Sequence, residues 1–415
     1  FLRSDNLGNS ELMILDIQEG ALTSIATMQE RIHEFCWAPN GKCIAFVSSI
    51  NNEKNSESTL LDQSGVQVIT KIKYKNDVLG WMVDRHRQIS VINIDVGNAV
   101  QVTTGDYENY GVRWSPDSEK IAFISQRDEN RDVVDHSGAY VVSADGGEPI
   151  CFSEGLFTVS SLVWAPSGDR LAVVGSPREI SDGVSIQGWI YVLSRKESPK
   201  LLTDDTIKPM AGFPPQGPFT NLVWTANNDI LFVGEARGKG SVYQLKIDTK
   251  HIRRIWGGDL RISSFAVDCS GQTTGLIASS INTPGDVYVL SIPSHSSQKI
   301  TNYNSSYFRG QNISSQKFLL TRCGLDIESR VFFPPDFDSN RKYPLILDIH
   351  GGPNGVFMDT FDPLHHLLVC AGYIVLAVNP RGSSTYGEDF AMAVLGDWGG
   401  EDYHDLMAAL DDMLK

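Results

Sequence analysis

A short pattern centred on tryptophan recurs along the first 300 residues and constrains the fold more than any other feature. An apolar segment ends near a Trp, a turn rich in Pro, Asn, Asp and Gly follows, and a second apolar segment begins. Copies are centred on Trp37, Trp114, Trp164 and Trp224, and a degenerate copy begins at Phe265. Two apolar segments around such a turn predict a β-hairpin.

A second kind of predicted strand alternates with these hairpins, and each is followed by a polar loop and a further strand. The segments are Leu12–Ile17, Ile89–Asp95, Ala139–Ser143, Trp189–Leu193, Val242–Leu245 and Val287–Leu290. Two hairpins repeating every ~45–50 residues are typical of the four-stranded blades of a β-propeller. We expect seven blades, the first incomplete, with an insertion that includes the polar stretch 51–64. A β-sandwich or a solenoid is the alternative, and the similar build of five hairpins argues against it.

The pattern changes between Thr301 and Gln316, after which predicted strands and helices alternate. The strands are Leu345–Ile349 and Tyr373–Val378, and the helices are Pro363–Ala371 and Glu401–Leu414. Alternation of this kind predicts an α/β layer with a parallel sheet. The sequence therefore predicts a propeller over residues 1–310 and an α/β domain over residues 311–415.

Charge and composition exclude several classes of protein. The net charge is −15, from 35 basic and 50 acidic residues, and such a surface repels nucleic acid. No apolar run approaches the ~20 residues that span a bilayer, so we expect no membrane partner. The six cysteines have no regular spacing and lie mostly in apolar runs, which indicates buried free thiols in a reducing, cytoplasmic setting. No metal-ligand spacing and no phosphate-binding loop occurs, so we expect no metal and no cofactor.

Three motifs that follow the propeller pattern carry a resemblance to a known family. They are Tyr343–Pro353, which ends in His-Gly-Gly-Pro, Asn379-Pro-Arg-Gly-Ser383, and Gly396–Asp405, which contains Asp-Trp-Gly-Gly-Glu-Asp-Tyr. With the propeller before them, they resemble the prolyl oligopeptidase family of serine peptidases, and its acylaminoacyl peptidase branch most closely. The resemblance is loose in the propeller and tight from Tyr343 to Leu406. It implies that residues 311–415 form the N-terminal part of an α/β-hydrolase domain that lacks the nucleophile elbow.

The resemblance implies hydrolysis of short peptides by a Ser-His-Asp triad, with the serine in a Gly-x-Ser-x-Gly elbow. No such elbow occurs in the 415 residues, and the family order places the triad after Lys415. We therefore expect this chain alone to be inactive, and its partners to be an oligopeptide substrate and a C-terminal catalytic segment. That segment would be a second chain or a continuation of this one. A second copy of this chain, in a homo-oligomer, is a further candidate partner.

The same resemblance implies roles for four residues. The backbone N–H of Gly352 would donate to the oxyanion, Gly351 would shape the loop, and His350 and Arg381 would organise the substrate site. A tight turn with a purely steric need for glycine is the alternative for Gly352. Loop bracing is favoured over substrate contact for Arg381.

Other polar and aromatic residues of this region receive structural roles. Trp398 and Tyr403 are expected to pack a helix onto the sheet, and His365, His366 and His404 to lie on the surface or in helix packing.

Two other functions stay open. One is an esterase on the same scaffold, which would hydrolyse nitrophenyl esters and leave anilides intact. The other is a propeller that binds peptides beside a vestigial hydrolase segment.

Overall fold

The computed structural model describes residues 1–4, 9–51, 69, 71–76, 80–81, 85–178, 188–210, 222–306 and 312–415. Residues 52–64 of the predicted insertion therefore lie outside the described residues. Two compact units are present, one drawn from residues 1–181, 190–202 and 211–224 and the other from residues 182–189, 203–210 and 225–415.

Strands up to residue 201 form antiparallel sheets of chain neighbours. The sheets are ordered β1-β2-β3, β4-β5-β8-β9, β6-β7, β10-β11-β12-β13 and β14-β15-β16-β17. The strands are β1 (Leu2–Ser4), β2 (Ser10–Leu15), β3 (Leu22–Met28), β4 (Ile32–Trp37), β5 (Cys43–Asn51), β6 (Lys75–Asn76), β7 (Gly80–Trp81), β8 (Arg85–Asn93), β9 (Ala99–Gln101), β10 (Glu108–Trp114), β11 (Lys120–Gln126), β12 (Gly138–Ser143), β13 (Ile150–Cys151), β14 (Thr158–Trp164), β15 (Arg170–Ser176), β16 (Trp189–Ser194) and β17 (Lys200–Leu201).

Strands up to residue 299 continue this pattern. The orders β18-β20-β21-β22 and β23-β24-β25-β26 give two further antiparallel sheets. The strands are β18 (Lys208–Pro209), β19 (Leu222–Trp224), β20 (Asp229–Ala236), β21 (Lys239–Lys246), β22 (His251–Gly258), β23 (Arg261–Val267), β24 (Thr273–Ser280), β25 (Thr283–Ser291) and β26 (Ser297–Lys299). Each predicted segment of the second repeat type overlaps one strand, and only Leu12–Ile17 and Ile89–Asp95 extend two residues beyond the ends of β2 and β8. The blade number stays a prediction.

The repeated tryptophans join neighbouring sheets in the first unit. The indole N–H of Trp114 donates to the carbonyl of Cys36 at 3.0 Å, and that of Trp164 donates to the carbonyl of Arg113 at 3.0 Å. Both rings are buried, whereas Trp37 is 42% exposed. A buried indole needs a hydrogen-bond partner, and the carbonyl of the preceding sheet supplies one. The Trp repeat therefore fixes how successive sheets stack.

A mixed sheet with three helices occupies residues 314–413. The strands are β27 (Ser314–Arg322), β28 (Leu325–Phe333), β29 (Leu345–Asp348) and β30 (Ile374–Asn379), and the helices are α1 (Pro363–Cys370), α2 (Glu388–Met392) and α3 (Glu401–Met413). The order is β27-β28-β30-β29, with only the β29–β30 pair parallel. The two strands for which the sequence predicts a parallel sheet, β29 and β30, do pair in parallel. The β27–β28 hairpin adds an antiparallel half that the sequence pattern does not predict.

The two predicted strands of this sheet differ in burial. All six residues of β30 are buried, whereas β29 is half-buried along its length. The apolar run of β29 predicts a strand covered on both faces, but among the described strands it pairs with β30 alone. An edge strand keeps more of its surface in contact with solvent.

The helix α1 begins where the sequence supplies its cap. The carboxylate of Asp362 accepts hydrogen bonds from the N–H groups of Leu364 and His365, and Pro363 occupies the first turn. None of the described helices combines the length and the apolar character needed to cross a bilayer. The predicted domain boundary at residues 310 and 311 stays a prediction.

Candidate active-site loop

The His-Gly-Gly-Pro segment forms a loop at the carboxyl end of β29. Gly352 has φ +127°, a backbone conformation that L side chains rarely adopt. A Cβ on Gly352 would lie 2.5 Å from the backbone N of Gly355 and 2.9 Å from that of Asn354. A Cβ on Gly351 would meet nothing within 4 Å. The loop therefore requires glycine at position 352 and tolerates a side chain at position 351.

The backbone N–H of Gly352 is available for a ligand. The residue is exposed, and no described residue accepts a hydrogen bond from its N–H. An oxyanion hole requires backbone donors that are fixed before the reaction and have no competing partner. The steric need and the free donor are both present, so the two alternatives for Gly352 are compatible. Its role in catalysis stays a prediction.

His350 anchors the start of the loop. Its Nε2 lies 2.9 Å from Oγ of Ser383, which is fully buried and donates its own proton to the carbonyl of Pro380 at 2.6 Å. Burial lowers the pKa of His350 below its ordinary value, which favours the neutral ring. The geometry gives His350 a structural contact with the 380–384 segment.

Further contacts join the 350–360 loop to the 379–391 segment. Asn354 donates to the carbonyl of Gly382 at 2.8 Å, and the N–H of Ser384 donates to the carbonyl of Gly355 at 3.1 Å. The Asn379 side chain accepts from the N–H of Phe357 at 2.8 Å and donates to its carbonyl at 3.1 Å. These contacts fix the Gly352 loop along most of its length. The sequence pattern does not predict these hydrogen bonds, because they join segments about 25 residues apart through residues that belong to no recognised motif.

Arg381 braces its own loop against α3. Its backbone N–H and its Nε donate to Oδ2 of Asp405 at 3.1 and 2.8 Å, and its NH2 group donates to Oδ1 at 2.9 Å. Arg381 is 8% exposed and Asp405 is fully buried. The hydrogen bonds to Asp405 raise the pKa of Arg381 above its usual range. The ion pairs of this guanidinium are with Asp405 and Glu401 of α3, which supports the bracing role.

The remaining predicted residues lie elsewhere. Nε2 of His365 contacts Oδ2 of Asp348 at 2.7 Å, and Nε2 of His366 contacts the carbonyl of Ile281 at 2.8 Å. Both histidines belong to the buried face of α1. Trp398 and Tyr403 are 60% and 51% exposed, so the expectation that they pack a helix onto the sheet is wrong. Leu406, Ala409 and their neighbours take that place.

The cysteines and the acidic and histidine residues form no metal site in the described part of the chain. All six cysteines are free thiols. Cys269, Cys323 and Cys370 are exposed, so the expectation of burial is wrong for these three.

Residues 360–415 match the prolyl oligopeptidase family. An uncharacterized peptidase of Bacillus subtilis, YuxL, is 26% identical over 428 residues, which cover 99% of this chain and 64% of that protein. Dipeptidyl-peptidase 5 of Porphyromonas gingivalis is 25% identical over 410 residues, 92% of this chain and 57% of that enzyme. The resemblance that the three motifs indicate is confirmed.

Solved structures match the whole chain. Acylaminoacyl peptidase of Pyrococcus horikoshii superposes with a TM-score of 0.77 at 20% identity, over 100% of this chain and 61% of that chain. A puromycin-hydrolyzing peptidase of Mycobacterium tuberculosis gives a TM-score of 0.68 at 15% identity, over 100% and 63%. The chain therefore has the strand-rich fold of these proteins and spans about three fifths of their length.

Proposed function

We propose that this chain, whose residues 360–415 belong to the prolyl oligopeptidase family, forms the N-terminal part of a serine peptidase. The intact protein would remove short N-terminal units from oligopeptides, in the manner of an acylaminoacyl or dipeptidyl peptidase. The observation that carries the proposal is the backbone N–H of Gly352, which is exposed and has no partner among the described residues. The loop geometry at this position admits only glycine.

The proposed mechanism assigns one step to this chain. A serine on the segment outside these 415 residues attacks the peptide carbonyl, and the carbonyl oxygen gains negative charge in the tetrahedral intermediate. The N–H of Gly352 donates a hydrogen bond to that oxygen and lowers the barrier. A histidine on the same outside segment takes the serine proton and passes it to the leaving amine. Water then hydrolyses the acyl-enzyme.

A dipeptidyl specificity has more support than an acylaminoacyl one. Relatives with 25% and 31% identity are dipeptidyl-peptidase 5 enzymes, whereas the acylaminoacyl peptidase structure matches at 20% identity. The assay compares dipeptidyl anilides with a free amino group, acetyl-amino-acid anilides and a nitrophenyl ester on the full-length protein.

We expect turnover of the dipeptidyl anilides and inactivation by a fluorophosphonate, with the nucleophile Ser→Ala variant as the control. Hydrolysis of the ester with both anilides intact would instead establish an esterase. Tight peptide binding without turnover or fluorophosphonate labelling would establish a binding module.

A further inference from the structure

The hairpin tip between β20 and β21 contacts both segments that frame the Gly352 loop. Arg237 and Gly238 form this two-residue turn, with φ +50° and +68°, the conformation of a tight β-hairpin. The N–H of Arg237 donates to the carbonyl of Thr385 at 2.8 Å, and the N–H of Gly238 donates to Oγ1 of Thr385 at 2.9 Å. The carbonyl of Gly238 accepts from the N–H of Asp359 at 3.0 Å.

Thr385 is held in an unfavourable conformation by these contacts. Its φ is +74°, which a β-branched residue rarely adopts. The residue is 3% exposed, and both its carbonyl and its hydroxyl accept from the hairpin tip. A strained backbone persists only where its surroundings hold it, and such residues concentrate at functional sites.

A path of backbone hydrogen bonds continues from Thr385 to the catalytic loop. The neighbouring Ser384 donates from its N–H to the carbonyl of Gly355 at 3.1 Å, and Gly355 donates from its N–H to the carbonyl of Gly351 at 3.2 Å. The plane of the peptide that joins Gly351 to Gly352 contains both that carbonyl and the Gly352 N–H. A shift at Thr385 would therefore rotate the proposed oxyanion donor.

The far end of the loop is fixed at Asp359. Its carboxylate, 1% exposed, pairs with Arg330 and lies 3.2 Å from Nζ of Lys317. Its N–H contacts the hairpin tip directly, as described above. The tip therefore holds the loop at one end through Asp359 and near its middle through Thr385.

We propose that the Arg237–Gly238 tip is a positioning element for catalysis, and that Thr385 is the residue through which it sets the Gly352 N–H. The inference rests on the proposed function. It adds a requirement that lies about 150 residues before Thr385 in the chain, on a strand pair outside the α/β sheet.

The test compares Thr385→Val with Thr385→Ser in the full-length protein. Valine keeps the branched shape of threonine but loses the hydroxyl that accepts from the N–H of Gly238. Serine keeps that hydroxyl. Active-site titration with a fluorophosphonate gives the concentration of competent enzyme, so partial misfolding does not lower the measured kcat. Thr321→Val is the matched control, because it removes the hydroxyl bonded to Asp326 on an exposed hairpin of the same unit.

We expect Thr385→Val to lower kcat per titrated site by about 10- to 100-fold with KM within twofold, since a misplacement of about 1 Å costs that much. The inhibition constant of a peptidyl trifluoromethyl ketone, which mimics the tetrahedral intermediate, should rise by the same factor. Thr385→Ser should retain at least half of the wild-type kcat, and Thr321→Val all of it.

A second pair of variants covers the case in which Thr385→Val folds poorly. In Gly238→Ala the new Cβ would lie 3.1 Å from the carbonyl of Phe357, whereas in Gly324→Ala it would meet nothing within 4 Å at a similar φ of +79°. Only Gly238→Ala should lower kcat. Equal kcat for Thr385→Val and wild type, or equal losses in Thr385→Val and Thr385→Ser, would overturn the inference. A wild-type protein without peptidase activity or labelling would overturn the proposed function itself.

Discussion

The two adjacent glycines of the His-Gly-Gly-Pro loop have different physical requirements. Gly352 has positive φ and no room for a Cβ, whereas Gly351 has an open surrounding. In the full-length protein, Gly352→Ala should displace the oxyanion donor and lower kcat by about 10²–10³ with a small change in KM. Gly351→Ala should stay within about threefold of wild type, since no contact opposes its Cβ. Steady-state kinetics of the two variants measures the difference. Equal kcat in both would assign Gly352 a turn role only.

His33 couples the stability of the fold to pH. Burial, with the nearby charge of Arg87, lowers the pKa of His33 from 6.5 to about 4, and its Nε2 lies 2.9 Å from Oγ of Ser49. A lowered histidine pKa means that the unfolded chain binds a proton more readily than the folded one. The stability from this group is therefore full above pH 6.5 and is lost as the pH falls toward 4.

His33→Gln should remove this part of the pH dependence. Urea unfolding at pH 7.5 and pH 4.5 should show that wild type loses about 1–2 kcal/mol more than the variant over this range, after allowance for partial exposure. The same loss in both proteins would show that His33 keeps its ordinary pKa. Ser49→Ala is a useful companion, because it removes the hydrogen bond without changing a titratable group.

At the scale of elements, the carboxylate of Asp405 makes the shortest contacts between α3 and the loop of Arg381. Asp405 is fully buried and accepts from Arg381 and from NH1 of Arg322 at 2.9 Å. Asp405→Asn removes the hydrogen-bonded carboxylate partner of Arg381, whereas Arg322 keeps its pair with Glu401. Breaking such a buried pair should lower the free energy of unfolding by about 3 kcal/mol. Asp411→Asn, at an exposed position of the same helix, should change it by less than about 0.5 kcal/mol. Denaturant titration distinguishes them, and equal midpoints would contradict the bracing role.

The tryptophan repeats stabilise contacts between sheets. Trp164→Phe removes the indole N–H that satisfies the carbonyl of Arg113 and leaves a small cavity. We expect the free energy of unfolding to fall by about 2 kcal/mol, since the lost hydrogen bond and the cavity each cost about 1 kcal/mol. Trp37→Phe, at a half-exposed position of the same repeat, should cost less than half as much. Thermal or urea unfolding of the two variants gives the comparison, and a larger loss for Trp37→Phe would contradict this role.

At the scale of the whole molecule, we propose that the chain contributes a scaffold and one backbone donor to a larger active site. Residues 1–415 contain no Gly-x-Ser-x-Gly elbow and span 64% of the Bacillus subtilis relative. We expect the isolated 415-residue chain to show no anilide hydrolysis and no fluorophosphonate labelling. The full-length protein, assayed beside it at equal concentration, should show both. Turnover by the isolated chain would place the nucleophile within these residues and contradict the assignment of the triad.

The sequence by itself determined the strand pattern and the resemblance to the prolyl oligopeptidase family. Each Trp repeat falls on described strands, and the helices that begin at Pro363 and Glu401 begin where the sequence predicts. Local chemistry explains this success, because turns, caps and apolar periodicity depend on residues close in the chain. The three motifs near Tyr343, Asn379 and Gly396 were sufficient to indicate the prolyl oligopeptidase family for the same reason: each is a short, contiguous segment.

Only the tertiary structure decided which residues support the candidate site. The Gly238–Thr385 contact joins residues 147 positions apart, and the Arg381–Asp405 contact joins two motifs that the sequence presents separately. The exposure of Trp398 and the half-burial of β29 also depend on what packs beside them. Contacts of this kind follow from how distant segments meet in space, and neither periodicity nor spacing along one chain encodes that meeting.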